Sequence, residues 1–472
     1  MVTFTLIDTV VLSLFVGLIL ALGFSARLRD NTFFQYFAAG RNLSLVPFVS
    51  TLVCTWYGGI LGLAESVSYF GLGTWLLFGV PYYVFAAIYA QKVARKVREI
   101  DDISIPERIA RQFGKGSGVF SAVLIFLLAV PSAHVLMLAV LLQTVVPLQL
   151  LPALLIVGGA GTLFLYRGGL LADVRMSLAA FVMMYLGFGV IVASHVVQFP
   201  PVQAFESLRG TPMLTLTGGQ GWLAIISYFI LGAWTLVDPG FHQRVACAKD
   251  PETSQKGVWV SILCWMTFDL LSISAGMYAL QTLKSSPSNP LMIFPALAQQ
   301  NLPPGLKSIF FCGMLGTILS AMVGYTLVAG GTFGREIMGR IMPVADDRLK
   351  FWTRIGLTLA ILIAIVVALF VDSVVAIWYS WSGVVVGAVL LPFLISMGSK
   401  ANHLRRESVL WSMVLSFITS LSWWIIGTAN GNKFLTVNQG GQDIPVGTLL
   451  PGLFVSGLVI LIWPKLSGTE NE

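Results

Sequence analysis

The stretch "VCTWYGGILGLAES", Val53 to Ser66, interrupts an apolar run with a Trp-Tyr pair, two adjacent glycines and a carboxylate. Glycine in a helix interior costs about 1 kcal/mol relative to alanine, and the β-branched and aromatic neighbours add little helix propensity. Residues 53–59 are therefore where a helix at membrane depth is expected to break. Broken backbone persists there only where protein covers it or where it lines a cavity. Its freed carbonyls can hold a cation, and a half-helix N-terminus can face an anionic group. The competing reading keeps Gly58, Gly59 and Gly62 as small faces for close helix packing.

That this depth is membrane depth follows from composition. Of 472 residues, 56% are hydrophobic and 10% charged, and the mean hydropathy is +0.85. One soluble core cannot hide that much apolar surface, so the chain reads as an all-α polytopic membrane protein. A bilayer core about 30 Å thick needs roughly 20 apolar residues per helix. About thirteen runs qualify, near 4–24, 46–68, 75–94, 117–145, 150–166, 176–197, 222–237, 258–280, 306–333, 351–371, 373–397, 408–426 and 448–463. No Lys or Arg precedes the first run, which is too long for a signal-peptide core and is expected to remain as a spanning helix. Cys54, Cys247, Cys264 and Cys312 are scattered without metal-ligand spacing, so neither a disulfide framework nor a zinc site is expected.

With the N-terminus outside, the inner loops and helix ends collect 24 of the 28 Lys and Arg, leaving Arg209, Lys284, Lys307 and Lys433 outside. Basic residues stay on the cytoplasmic side during insertion. The expectation is a multi-pass protein of the cell membrane whose C-terminal stretch, beginning at Lys465, is cytoplasmic. An anionic lipid surface accounts for the net charge of +7, and no nucleic-acid partner is implied.

Segments 2 to 6 (46–197) and 7 to 11 (222–397) read as two sets of five, flanked by 1–45 and 398–472. An odd number of spans turns the second set upside down, the inverted-repeat plan of many secondary transporters. Segment 7 carries its own glycine interruption, "ILGAWTL" with Gly232, at the place corresponding to the opening stretch.

Five stretches carry a family likeness. "YFAAGRNLS" (Tyr36 to Ser44) resembles the "YFxAGRxL" signature of the sodium:solute symporter family, and "LGLAESVSYFGL" (Leu61 to Leu72) its "LGLPGEAYxxGL". "SIPERIARQFG" (Ser104 to Gly114), "YRGGLLADV" (Tyr166 to Val174) and "DPGFHQRVACAKD" (Asp238 to Asp250) resemble its "TIPEYLxxRFG", "YxxxGGLxA" and "DPxxxQRxLAAKD". The resemblance implies the LeuT fold, with its 5+5 inverted repeat, and places substrate and sodium where segments 2 and 7 unwind. It puts cation-binding carbonyls at Leu52 and Thr55. Their partners are in segment 9, "GTILSAMVGYTL", at Thr317, Ser320 and Ala321. The family's second hydroxyl is missing at Ala321; Thr317, one turn before Ser320, is the available compensation. Where the family has "TDxxQ" this chain reads "MSLAA", with Ser177 at the acidic position and Asp173 one turn earlier.

Other residues stand out without that likeness. Asp269 lies eleven residues into segment 8, about 16 Å along the helix and so near the midplane. A carboxylate there costs about 2.5–3.5 kcal/mol on insertion scales. It reads as a cation partner, a proton carrier, a contact to a substrate amine, or a structural acid hydrogen-bonded to a neighbour such as Ser272. Glu65 reads either as snorkelling outward or as a gate, and His134 as a neutral hydrogen-bonding group or a protonatable coupling residue. Cys54, Trp56 and Tyr57 of segment 2, Tyr228 and Trp234 of segment 7, and Trp378 and Trp381 of "WYSWSG" complete the expected substrate cavity. Flat rings there stack on sugars or hold organic cations.

No GxSxG, Walker loop, HExxH or spaced carboxylate pair appears, so neither an enzyme nor a cofactor is expected. The sequence reads as a secondary active transporter of a small polar organic solute, working by alternating access and coupled to Na+. The alternatives are proton-coupled or uncoupled transport on the same scaffold, and a transporter-like solute sensor.

Overall fold

The computed structural model describes residues 2–463 except 31, 101, 202–204, 284, 286, 343–344, 399–400, 402–403, 433–435 and 440–441. Lys284, Lys433 and the stretch from Lys465 thus lie outside the described residues. Among the described residues, thirteen apolar helices match the thirteen runs: α1 Leu6–Phe24, α2 Leu45–Phe70, α3 Trp75–Glu99, α4 Ile105–Val145, α5 Leu150–Thr162, α6 Leu165–Gln198, α7 Trp222–Ala246, α8 Pro251–Thr282, α9 Leu306–Ile341, α10 Arg348–Phe370, α11 Val374–Ser396, α12 Arg406–Ala429 and α13 Leu449–Ile462. Eleven are long and apolar enough to cross a membrane; α5 and α13 are shorter. A two-stranded hairpin, Thr436–Gln439 with Gln442–Pro445, joins α12 to α13.

Local sequence sets the helix ends. Thr5 and Asp8 form a capping box on α1, and Asp250 caps α8 by accepting from the Thr253 N–H at 2.6 Å. In the "YRGG" turn Gly169 takes φ +51°, and a Cβ there would lie 2.1 Å from the Tyr36 carbonyl oxygen. Both the left-handed backbone and the close approach require glycine.

The opening stretch is less disrupted than expected. α2 stays α-helical to Trp56, tightens into a 3-10 turn at Tyr57–Gly59 and resumes at Ile60. The break is one turn of re-paired hydrogen bonds, with the Ile60 N–H returned to the Tyr57 carbonyl, in place of seven unwound residues. Each glycine also faces a neighbour. An added Cβ would lie 2.0 Å from the Ala321 methyl at Gly58, 2.2 Å from the Trp378 ring at Gly59 and 2.5 Å from Val374 at Gly62. Break and close packing coincide. α7 repeats the device: helix to Leu231, a 3-10 stretch at Gly232–Leu236, then a new start at Pro239 capped by Asp238.

Candidate functional site

The two 3-10 interruptions border one cavity of about 570 Å3. Thr55, Trp56, Tyr57 and Gly59 of α2, Trp234 and Asp238 of α7, and Asp269 of α8 form its deep end. Trp378 and Trp381 of α11 and Trp424 of α12 line the way to a mouth at Asp372 and Gly431.

Aromatic packing fixes the walls. The Trp56 ring sits 4.8 Å from that of Tyr82 and 4.9 Å from that of Trp265. Asp269 is buried and held from two helices: the Tyr57 hydroxyl lies 2.8 Å from Oδ1, and the Tyr83 hydroxyl donates to Oδ2. The Tyr57 hydroxyl is also 2.7 Å from the Trp265 carbonyl. Ser272 is no partner of this carboxylate, because its hydroxyl donates back to the Phe268 carbonyl at 2.8 Å.

His134 lines the cavity and stacks on Tyr325, centroids 5.3 Å apart. The Tyr325 hydroxyl donates to Asp238 Oδ2 at 2.8 Å, while Oδ1 accepts the Phe241 N–H at 2.6 Å. His134 Nδ1 and Trp234 Nε1 have no hydrogen-bond partner among the described residues.

Beneath the cavity, α2, α6 and α9 meet in a buried polar cluster. Ser320 Oγ is 2.8 Å from Ser177 Oγ, which lies 3.1 Å from Asp173 Oδ1. Asp173 Oδ2 pairs with the fully buried Arg244 at 2.7 Å and accepts from Thr51 at 3.3 Å. The carboxylate one turn before Ser177 is therefore linked to the serine on α9 through the Ser177 hydroxyl, and its charge is balanced by Arg244.

The other expected residues are placed as follows. The Thr317 hydroxyl donates to the Gly313 and Met314 carbonyls of its own helix at 3.1 and 3.0 Å and makes no hydrogen bond to Ser320. Leu52 is buried in the core beside the cavity, and the Ala321 methyl faces Gly58. Cys54 is turned to the Ser177 carbonyl at 3.4 Å and does not line the cavity. Tyr228 packs among Phe70, Phe78 and Tyr379 outside it. Trp381 lines the cavity while its Nε1 donates to the Leu127 carbonyl at 3.2 Å. Glu65 does not snorkel: it is 1% exposed and accepts from Ser373 Oγ at 2.5 Å and from the Val374 and Val375 N–H groups at 3.1 and 3.3 Å. A carboxylate capping a helix N-terminus is electrostatically favoured, and here it ties the end of α2 to the start of α11.

At the opposite ends of these helices, Arg335 of α9 pairs with Glu107 of α4 at 2.7 Å, and Glu336 accepts from Arg340 at 2.7 Å and Ser104 at 2.8 Å. The cavity is thus open towards the Asp372 end, and the far end is tied by an ion network.

Sequence reading missed Tyr82, Tyr83, Asp238, Tyr325 and Trp424. Only Asp238 left a usable signal, as an Asp-Pro step directly after the second glycine-interrupted helix.

The family model of the sodium:solute symporter family matches residues 36–416. A solved Na+-coupled sialic acid symporter in a substrate-bound outward-open state is 13% identical with a TM-score of 0.80, covering 98% of this chain and 99% of its own. Mhp1, a nucleobase-cation-symport-1 family transporter solved closed around bromovinylhydantoin, is 14% identical with a TM-score of 0.57, covering 90% and 93%. A manganese transporter of Eremococcus coleocola is 15% identical with a TM-score of 0.54, covering 93% and 95%. At these identities the likeness establishes the fold, an all-α transporter fold of the LeuT type. Comparison with curated protein sequences gave no match.

Proposed function

We propose that this chain, which belongs to the sodium:solute symporter family, binds its coupling sodium between α2 and α9 and its solute in the cavity beside them. Membership makes it a secondary active symporter of a solute with Na+ as coupling ion. The assignment of sites goes further. Its main support is that the α2 3-10 turn both lines the cavity and packs at Gly58 on Ala321, next to the Ser320 that joins the Ser177–Asp173 cluster.

The Leu52, Thr55 and Thr317 carbonyls and the Ser320 hydroxyl supply the sodium oxygens. Ala321 adds none, and Ser177 and Asp173 hold Ser320 in place from behind. The two halves that exchange access are 46–197 and 222–397, each opening on a helix with a 3-10 interruption. The mouth at Asp372 faces outward and the Arg335–Glu107 network inward, an orientation supported by the 24 to 4 division of basic residues.

Uptake of a labelled solute panel into proteoliposomes with independently imposed sodium and pH gradients tests this. Sodium-driven accumulation that Ser320→Ala abolishes and Ala321→Ser tightens is the expected result. Accumulation that ignores sodium, follows a pH gradient and disappears in Asp269→Asn overturns it in favour of proton coupling.

A further inference from the structure

The charge census of the cavity has one sign. Asp238 and Asp269 are buried in its wall and Asp372 stands exposed at its mouth, while no Lys or Arg is among the lining residues. The buried Arg244 is paired with Asp173 at 2.7 Å and reaches Asp238 only through longer-range attraction. Neither Asp238 nor Asp269 has an ion-pair partner among the described residues. Between and above them stand five tryptophans, Trp56, Trp234, Trp378, Trp381 and Trp424.

We infer that the solute of this cavity is a small organic cation, an amine or quaternary ammonium compound. The inference deepens the symport reading and rests on it for the identity of the site. An anionic solute entering here loses its hydration against two buried carboxylates with no Lys or Arg in the lining to receive it, a cost of several kcal/mol for a buried charge without a side-chain partner. A cation meets the opposite field, and an indole face adds about 0.5–1 kcal/mol where exposed and about 2 kcal/mol where desolvated. Asp269 is prepared for the role: its two phenolic partners hold it in place yet occupy only two of roughly four acceptor positions on an ionised carboxylate. Asp238 is likewise held in place, accepting from the Tyr325 hydroxyl and from backbone N–H groups of the turn it caps.

The test is ligand-induced quenching of tryptophan fluorescence in the purified full-length protein. Three probes that share a compact trimethyl head are used: tetramethylammonium, neutral tert-butanol and anionic pivalate. Tetramethylammonium should bind at least about tenfold more tightly than tert-butanol, a difference of about 1.4 kcal/mol, and pivalate not at all. Asp269→Asn and Asp238→Asn should each bring the tetramethylammonium affinity down to that of tert-butanol, and a cooperative thermal melt reports that the variant is folded. Asparagine keeps the capping oxygen at position 238, so this second variant covers the case in which Asp269→Asn disturbs Tyr57 and Tyr83. Trp234→Leu should reduce the preference as well. Equal binding of tert-butanol or pivalate, absence of tetramethylammonium binding, or a preference that survives both Asn variants overturns the inference. Sodium-driven uptake of a neutral or anionic solute in such a case leaves symport standing and removes only the cation class. Cation-selective binding without sodium-driven uptake of any cation removes symport and leaves the class.

Discussion

Gly58 gives the sharpest test of how α2 and α9 share the proposed sodium site. Its φ is not positive, so alanine meets no backbone penalty; the obstacle is steric. An added Cβ falls 2.0 Å from the Ala321 methyl, whereas ordinary contact begins at 3.4 Å, so the two helices must part by about 1.4 Å. Overpacking of this kind costs about 1–3 kcal/mol, against roughly 1 kcal/mol gained in helix propensity. The displacement is more than half of the roughly 2.3–2.6 Å separating a hard cation from its oxygen ligands. Gly58→Ala should therefore lower the melting temperature in detergent and raise the half-saturating sodium concentration for uptake at least about tenfold, equivalent to about 1.4 kcal/mol. Ala321→Gly removes the opposing methyl, so the Gly58→Ala/Ala321→Gly pair should recover most of both losses, a coupling read from the double-mutant cycle. Gly159→Ala in α5 and Gly189→Ala in α6 serve as controls, since an added Cβ there meets nothing within 4 Å; each should be neutral or slightly stabilising. The reasoning is refuted if Gly58→Ala behaves like the controls, or if Ala321→Gly rescues neither reading.

Three further outcomes are expected. Glu65→Gln puts an amide among the Ser373, Val374 and Val375 donors and removes charge-assisted bonds worth about 1.5–3 kcal/mol; a thiol placed at Asp372 should then react faster with impermeant reagents, and an unchanged rate argues against a tie between α2 and α11. Arg244→Met leaves Asp173 buried without its partner, which should cost about 3–5 kcal/mol, while the double change with Asp173→Asn should be milder; equal losses in thermal melts would count against the pair. Cys54, buried with its thiol on the Ser177 carbonyl, should resist small thiol reagents with and without solute; labelling that solute slows would mean that it lines the pathway after all.

The helices were legible because a bilayer imposes a long apolar period on each span, and the positions of both interruptions because glycine at that depth is costly enough to need a reason. Asp269 was visible for the same cause, a charge where charge is expensive. What the sequence hid are pairings between distant helices. Nothing local to Glu65 reveals that its acceptors meet the start of α11, where Ser373 lies 308 positions along the chain. Tyr83 and Tyr325 look like ordinary aromatic residues until they are seen beside Asp269 and Asp238. Thr317 illustrates the limit of spacing rules: helical periodicity places it beside Ser320, but a threonine hydroxyl can satisfy itself on its own helix, and this one does.

Trp378 belongs to two structures at once. One edge of its ring fills the notch left by Gly59 and Gly62, and the residue is also part of the wall that a solute meets. A change of specificity by substitution at this position therefore carries a hole or a collision beneath α2 with it. Divergence in what related chains carry is better tolerated at Trp424, nearer the mouth, where no glycine notch has to change in step. Positions 59, 62 and 378 are expected to vary together or not at all.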